Sequence, residues 1–260
     1  MVTKLVRIAE ISATSKHPIF TSVYHLINED MLKQCHKELD GNKAVGIDKV
    51  TKDEYGKNLD RNIKDLVQRL KNKSFKPLPS LRVYIPKANG KKRPLGIASY
   101  EDKIVQMAVK KILGAIYEPR FLNSMYGFRP NRSCHEAIKE VYQRISYGKI
   151  SYIVDADIKG FFDHIDHEWM MKFLGWNIQD KNLLWLIRKY LKAGIMEQGK
   201  LEPTEEGSAQ GSVMSPMLAN IYMHHVLTLW FKFVVQKEMQ GDCFLVNFAD
   251  DFVVGFQYKS

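Results

Sequence analysis

Apolar positions along the chain recur at more than one period, and each change of period predicts an element. In TKDEYGKNLDRNIKDLVQRL, Tyr55, Leu59, Ile63, Leu66 and Leu70 share one helical stripe behind Thr51 and Glu54, which stand at capping-box spacing. Thr21 to Leu39 reads as another helix ahead of Gly41. In EDKIVQMAVKKILGAIY, Ile104, Ala108, Ile112 and Ile116 repeat between a Ser99–Asp102 cap and Pro119, and Ser133 with Glu136 caps a further helix running to Gly148. Asp180 caps NLLWLIRKYLKAG, with its stop at Gly194, and Ser215-Pro216 open a long helix reaching towards Gly241.

Strands follow from alternation. LRVYIPK and KKRPLGI flank Ala88-Asn89-Gly90, a turn suited to a β-hairpin, and CFLVNFA and FVVGF flank Asp250-Asp251 as a second one. ISYIVDADI alternates too, with Ile153, Asp155 and Asp157 on one face and Tyr152, Val154 and Ile158 on the other. The order is helices, hairpin, helices, strand, helices, hairpin, without a strand–helix–strand rhythm or an internal repeat. That predicts an α+β fold in which a small antiparallel sheet is backed by helices.

Composition adds a core and a charge. With 45% apolar residues over 260 positions the chain is globular, and its formal net charge is +10. The charge is uneven: no acid lies between Asp65 and Glu101, while Arg69, Lys71, Lys73, Lys76, Arg82, Lys87, Lys91, Lys92 and Arg93 crowd that stretch. A positive surface of this kind predicts a polyanionic partner, nucleic acid first, with a solvated basic face as the ordinary alternative.

Cys35, Cys134 and Cys243 lie far apart with no C-x-x-C, which fits a reducing, intracellular setting. His164 and His167, beside Asp163 and Asp166, read as a capped helix entry rather than a metal site. The first twenty residues hold no apolar core of signal-peptide length, and no apolar run approaches the ~20 residues of a membrane span. The expectation is a cytoplasmic protein that is neither secreted nor membrane-spanning.

The chemistry sits in the acids. A strand ending Asp-Ala-Asp and a hairpin turning through Asp-Asp can bring carboxylates together, and like charges about 4 Å apart oppose each other by ~4 kcal/mol at an effective dielectric of 20. Hard divalent cations such as Mg²⁺ remove that cost, and two of them clamp the oxygens of an in-line phosphoryl transfer. Each acidic site alone is ordinary turn or strand chemistry, and alternation does not choose between Asp155 and Asp157. SMYGFRPNRS adds aromatics and arginines suited to stacking on bases and gripping phosphates, and GSAQGSVMSP is a small-residue turn in which Gln210 can meet a ligand.

The ordered set IPKANGKKRPLGI, EDKIVQ, SMYGFRPNRS, YIVDADIKGFFDHIDHEW, QGSVMSPMLANIY and FADD resembles the reverse transcriptases and splicing maturases encoded by bacterial group II introns, over roughly residues 40–260. The resemblance implies a right-hand polymerase: fingers at 41–117 and 166–205 with a basic β-hairpin, palm at 118–165 and 206–260 with a metal-binding hairpin, and an RNA-binding extension at 1–40. It implies Asp157, Asp250 and Asp251 as catalytic ligands of two Mg²⁺ ions, for which Mn²⁺ can substitute. Lys87, Arg93, Phe162 and Gln210 correspond to the deoxynucleotide site, with Phe162 beneath the sugar. Lys91, Lys92, Tyr126, Phe128, Arg129 and Arg132 fall where template and primer run.

The implied partners are intron RNA, an RNA template with a DNA primer, and deoxynucleotides. Self-association is left open. Phe248 replaces the tyrosine of the usual Tyr-Ala-Asp-Asp, and Ala209 replaces a proline, which predicts a looser turn. The family continues into a thumb and a maturase region beyond the point where this sequence stops, so a fingers-and-palm fragment with weak synthesis is expected. An RNA-binding splicing cofactor with an unused polymerase site is the alternative reading.

Overall fold

In the computed structural model, which describes residues 2–86, 90 and 92–259, side-chain caps set most of the helix starts. α1 (Val2–Thr14) is tied to the core where Ser12 Oγ donates to the Ile116 carbonyl. α2 (Glu29–Glu38) starts behind Asn28, not at Thr21. The cause is tertiary, because the Val23 and Tyr24 N–H groups both donate to the Asp180 carboxylate at 2.7 Å and hold that stretch out of an α-helix. Thr51 and Glu54 form the expected capping box, but the helix divides at Gly56 into α3 (Lys52–Gly56) and α4 (Leu59–Lys71).

β1 (Ser80–Pro86) and β2 (Lys92–Ile97) form the basic hairpin. α5 (Tyr100–Tyr117), capped by Ser99, runs through the centre of the molecule with Ile104, Val105, Ala108, Val109, Ile112, Leu113 and Ile116 all buried. Each such aliphatic side chain contributes about 1.5–3 kcal/mol on burial, and α5 is therefore apolar on most sides rather than along one stripe. α6 (Cys134–Tyr147) carries the Ser133–Glu136 capping box. β3 (Tyr152–Asp157) precedes α7 (His167–Asn177), capped by Asp166, and α8 (Lys181–Leu191), capped by Asp180.

β4 (Ile195–Glu197) and β5 (Lys200–Glu202) make a short hairpin that the alternation does not reveal; β4 joins β1 in parallel, giving the sheet β2-β1-β4-β5. α9 (Ser215–Met223) continues through two π-helical stretches, His224–Thr228 and Phe231–Val235. Thr228 Oγ1 donates to the His224 carbonyl at 3.0 Å, a side-chain bond that competes with the regular ladder. β6 (Cys243–Phe248) and β7 (Asp251–Phe256) then join β3 in the antiparallel sheet β3-β7-β6. The fold is α+β, with two small sheets backed by helices. No described helix is long and apolar enough to cross a membrane.

Candidate active site

β3 and β7 pair antiparallel from Tyr152↔Phe256 to Asp157↔Asp251. Asp157 therefore stands opposite Asp251 on one face of the sheet, while Asp155 lies opposite Val253, further from the hairpin end. Ala249 and Asp250 form the turn between β6 and β7, and the Ile158 N–H donates to the Asp250 carbonyl at 3.4 Å. Burial, followed by the negative charges of Asp250 and Asp157, raises the Asp251 carboxyl above its ordinary range. Among the described residues no three His, Cys, Asp or Glu side chains are already gathered into a metal cage. Asp157 faces Asp251 and Asp250 is its neighbour in the chain, and carboxylate oxygens are the donor type that a hard divalent cation takes.

The hairpin tip is fixed by the SMYGF segment. A Cβ at Gly127 would lie 2.3 Å from the Ala249 nitrogen, so only glycine allows the two backbones to touch. Asn220, buried in α9, donates to the Gly127 carbonyl at 2.8 Å. The Asn247 N–H donates to the Ser124 carbonyl and the Tyr126 N–H to the Asn247 carbonyl, both at 2.9 Å, so this segment runs beside β6 as a short added strand. Asn247 Nδ2 also donates to the Ala249 carbonyl at 3.2 Å, bracing a turn whose Ala249 has φ 60°.

Gly160, at φ 66°, turns the chain after β3 so that Phe161 and Phe162 are buried edge-to-face, their ring centroids 5.7 Å apart. The Ser208 N–H donates to the Phe162 carbonyl at 2.7 Å, and the Gly96 N–H donates to the Gln210 carbonyl at 2.6 Å. With the Gln210 amide oriented so that its oxygen faces Arg93, that oxygen accepts from Nη2 at 2.7 Å and Nε at 3.3 Å, while the amide nitrogen donates to the Pro94 carbonyl at 2.9 Å.

The turn at Ala209, expected to be looser than one with proline, is hydrogen-bonded. The Ala209 carbonyl accepts from the Ser212 N–H and from Ser215 Oγ, both at 3.0 Å. Buried Gln106 accepts from Ser212 Oγ at 3.0 Å and from the Val213 N–H at 3.1 Å.

The predicted nucleic-acid contacts divide. Lys87 and Lys91 lie outside the described residues. Lys92 and Arg93 are exposed at the turn end of the hairpin, Phe128 is 49% exposed, and Arg132 is half-buried and donates to Asn123. Tyr126 is buried and donates to Glu140. Arg129, expected along template and primer, is buried: it donates to Glu118 Oε1 at 2.7 Å and to the Leu122 and Met125 carbonyls at 2.8 and 2.9 Å, against the Phe121 ring. Two cations of the basic stretch are also engaged internally, Arg69 by Asp65 and Glu101, and Arg82 by Glu197.

Sequence reasoning did not single out Gln106, Asn220 or Asn247. Each is a buried amide in an otherwise apolar stretch, and that is the signal that could have marked them. Beneath the hairpin, an apolar cavity of about 470 Å³ is lined by Val83, Ile85, Leu95, Ile97 and Tyr100, and reaches Gly211 beside Gln210.

Residues 85–260 match the family described as reverse transcriptase (RNA-dependent DNA polymerase). The group II intron-encoded protein LtrA of Lactococcus lactis subsp. cremoris is 39% identical over 240 residues, covering 92% of this chain and 39% of that protein. An uncharacterized 91 kDa protein in the cob intron of Schizosaccharomyces pombe is 38% identical over 204 residues, covering 77% of this chain and 25% of that protein. A partial Cas6-RT-Cas1–Cas2 complex is similar in structure over 91% of this chain and 38% of that chain, at 17% identity and a TM-score of 0.49. The chain thus spans about two-fifths of the length of LtrA. It belongs to the reverse transcriptase (RNA-dependent DNA polymerase) family, and its relatives include group II intron-encoded proteins.

Proposed function

We propose that this chain carries the nucleotidyl-transfer centre of an RNA-directed DNA polymerase. One continuous path of contacts supports the reading: Asp157 faces Asp251, Ile158 holds the Asp250 carbonyl, Phe162 holds Ser208, and two residues later Gln210 meets Arg93. Carboxylates and triphosphate-binding cation are thereby locked into one frame. The sheet β3-β7-β6 with its helices serves as palm, and the sheet β2-β1-β4-β5 as part of the fingers.

Asp157, Asp250 and Asp251 would hold two Mg²⁺ ions, which when bound neutralise phosphate charge and orient the reacting oxygens. The primer 3′-hydroxyl attacks the α-phosphate of a deoxynucleotide and pyrophosphate leaves. Arg93, fixed by Gln210, offsets charge on the triphosphate through hydrogen bonds that cost no reorganisation in the transition state. Phe162, packed between Phe161 and Phe128, presents a rigid ring to the sugar and leaves no room for a 2′-hydroxyl.

Single-nucleotide addition to a DNA primer on an RNA template tests this reading without requiring processive synthesis. A chain that adds a deoxynucleotide only in the presence of Mg²⁺ or Mn²⁺ supports it, and no addition at high enzyme concentration counts against it. The intron names of the relatives further suggest binding of a group II intron RNA in support of its splicing and mobility, checked by protein-dependent splicing of a candidate intron.

A further inference from the structure

A groove of about 730 Å³ lies between the end of α1, the turn at Pro119–Leu122, the end of α7 and the π-helical continuation of α9. None of the residues lining it belongs to the carboxylate, Arg93 or Gln210 groups. Three features set it apart from ordinary surface.

Among the described residues the lining contains no Asp or Glu, while Lys16, His17 and Arg120 are all present. A mixed protein surface normally intersperses the two signs. At its edge, Trp176 is 61% exposed and Phe233 is 52% exposed, although aromatic rings of this size usually hide most of their area. Trp176 is held edge-on to His225 with ring centroids 4.7 Å apart, so the ring is fixed rather than free. Burial, followed by the positive charge of Arg120, pushes His225 down to about 4, so the floor is a neutral imidazole under positive potential.

We propose that this groove holds a segment of single-stranded RNA, with phosphates along Lys16, His17 and Arg120 and bases stacked on Trp176 and Phe233. Cations without facing acids match a polyanionic backbone, and exposed rings match base faces of any sequence. A second copy of this chain is a poor occupant, since the whole carries a net charge of +10 and the groove itself offers no carboxylate to pair with. The choice of RNA over DNA rests on the proposed RNA-templated activity. The stacking and phosphate chemistry does not depend on it.

The test begins with the chain saturated by an RNA–DNA primer–template duplex, so that the polymerase cleft is occupied. A fluorescent oligouridylate of about 12 nucleotides, within the site sizes common for stacking grooves, is then titrated at about 50 and 200 mM salt. Lys16→Glu is expected to weaken this second binding step by roughly tenfold through the lost phosphate contact, and the pair Trp176→Ser with Phe233→Ser, which removes two stacks, by roughly a hundredfold. Lys16→Glu should also flatten the salt dependence, and single-nucleotide addition should be unchanged in every variant. Lys16 is exposed, so its variant keeps the test valid if the aromatic pair disturbs folding.

Unchanged oligouridylate affinity in both variants overturns the proposal. So does tighter binding of an oligothymidylate DNA of the same length. Self-association that disappears in the aromatic variant while RNA affinity stays the same would assign the face to a second copy. If nucleotide addition fails in the unsubstituted chain while the groove still binds RNA, the polymerase reading falls and the groove stands.

Discussion

Asp157 and Asp251 stand directly opposite each other at the end of the β3–β7 ladder, with Asp250 in the adjoining turn. Two facing carboxylates repel, and the Asp251 carboxyl is raised first by burial and then by the charges of Asp250 and Asp157. The surrounding backbone holds them together regardless, through Ile158, Gly127 and Asn247. Such a site gains most when a cation arrives.

Gly127→Ala is expected to displace the hairpin tip, because its Cβ would fall 2.3 Å from the Ala249 nitrogen, where backbone rather than a flexible side chain must move. A misplacement of about 1 Å costs on the order of 10²-fold in rate. Single-nucleotide addition should fall by about that factor while the circular-dichroism spectrum is retained. Wild-type rates in a folded variant would show that the contact does not position the acids.

Arg93→Ala should remove charge-assisted hydrogen bonds worth ~1.5–3 kcal/mol, lowering kcat/KM for the deoxynucleotide roughly 10- to 100-fold. Gln210→Leu should act in the same direction, mainly through KM, because Arg93 loses its acceptor. Steady-state kinetics on one template decide this, and Gln210→Leu kinetics equal to wild type would uncouple the two residues.

Gln106→Leu strands the Ser212 hydroxyl and the Val213 N–H without their acceptor, each buried donor costing about 1–3 kcal/mol. The variant should melt earlier and show a raised nucleotide KM. Gln106→Glu, which keeps an acceptor oxygen in place, should recover the KM. A melting loss without any KM change would make Gln106 structural only.

Asp102 gives a pH signature in stability. Burial pushes its carboxyl up to about 6, against the opposing hydrogen bonds from Ser99, the Leu78 N–H and Tyr190. The folded chain therefore retains a proton that the unfolded chain releases near pH 4. The stability from protonated Asp102 is complete below that point and is lost as pH rises through about 6. Asp102→Asn should remove this loss, so its melting temperature relative to wild type should climb between pH 4 and pH 7. Parallel curves would contradict the assignment.

Much of the site was legible because its chemistry is local. Thr51, Ser99, Ser133, Asp166 and Asp180 cap helices as their spacing predicts, and the hairpin turns where the apolar run breaks, though one residue earlier than expected: Ala249 and Asp250 form the turn and Asp251 is already in β7. Distant partners were not legible. Asp180 reorganises residues 23 and 24 from the far side of the chain, and Glu118 draws Arg129 inward from a motif that otherwise reads as phosphate-binding. Asp155 and Asp157 share a face, so only the register against β7 separates them. The β1–β4 pairing joins strands a hundred residues apart, beyond the reach of alternation within either.

That register supplies the most direct test of the central claim. Single-nucleotide addition on an RNA template should be compared for Asp157→Asn and Asp155→Asn. Loss of about 10³-fold or more is expected for Asp157→Asn, the scale for removing a group that supports transition-state charge. Asp155→Asn, whose carboxylate lies opposite Val253 rather than Asp251, should stay close to wild type. Equal loss in both, or loss only in Asp155→Asn, would contradict the assignment of Asp157 to the catalytic centre.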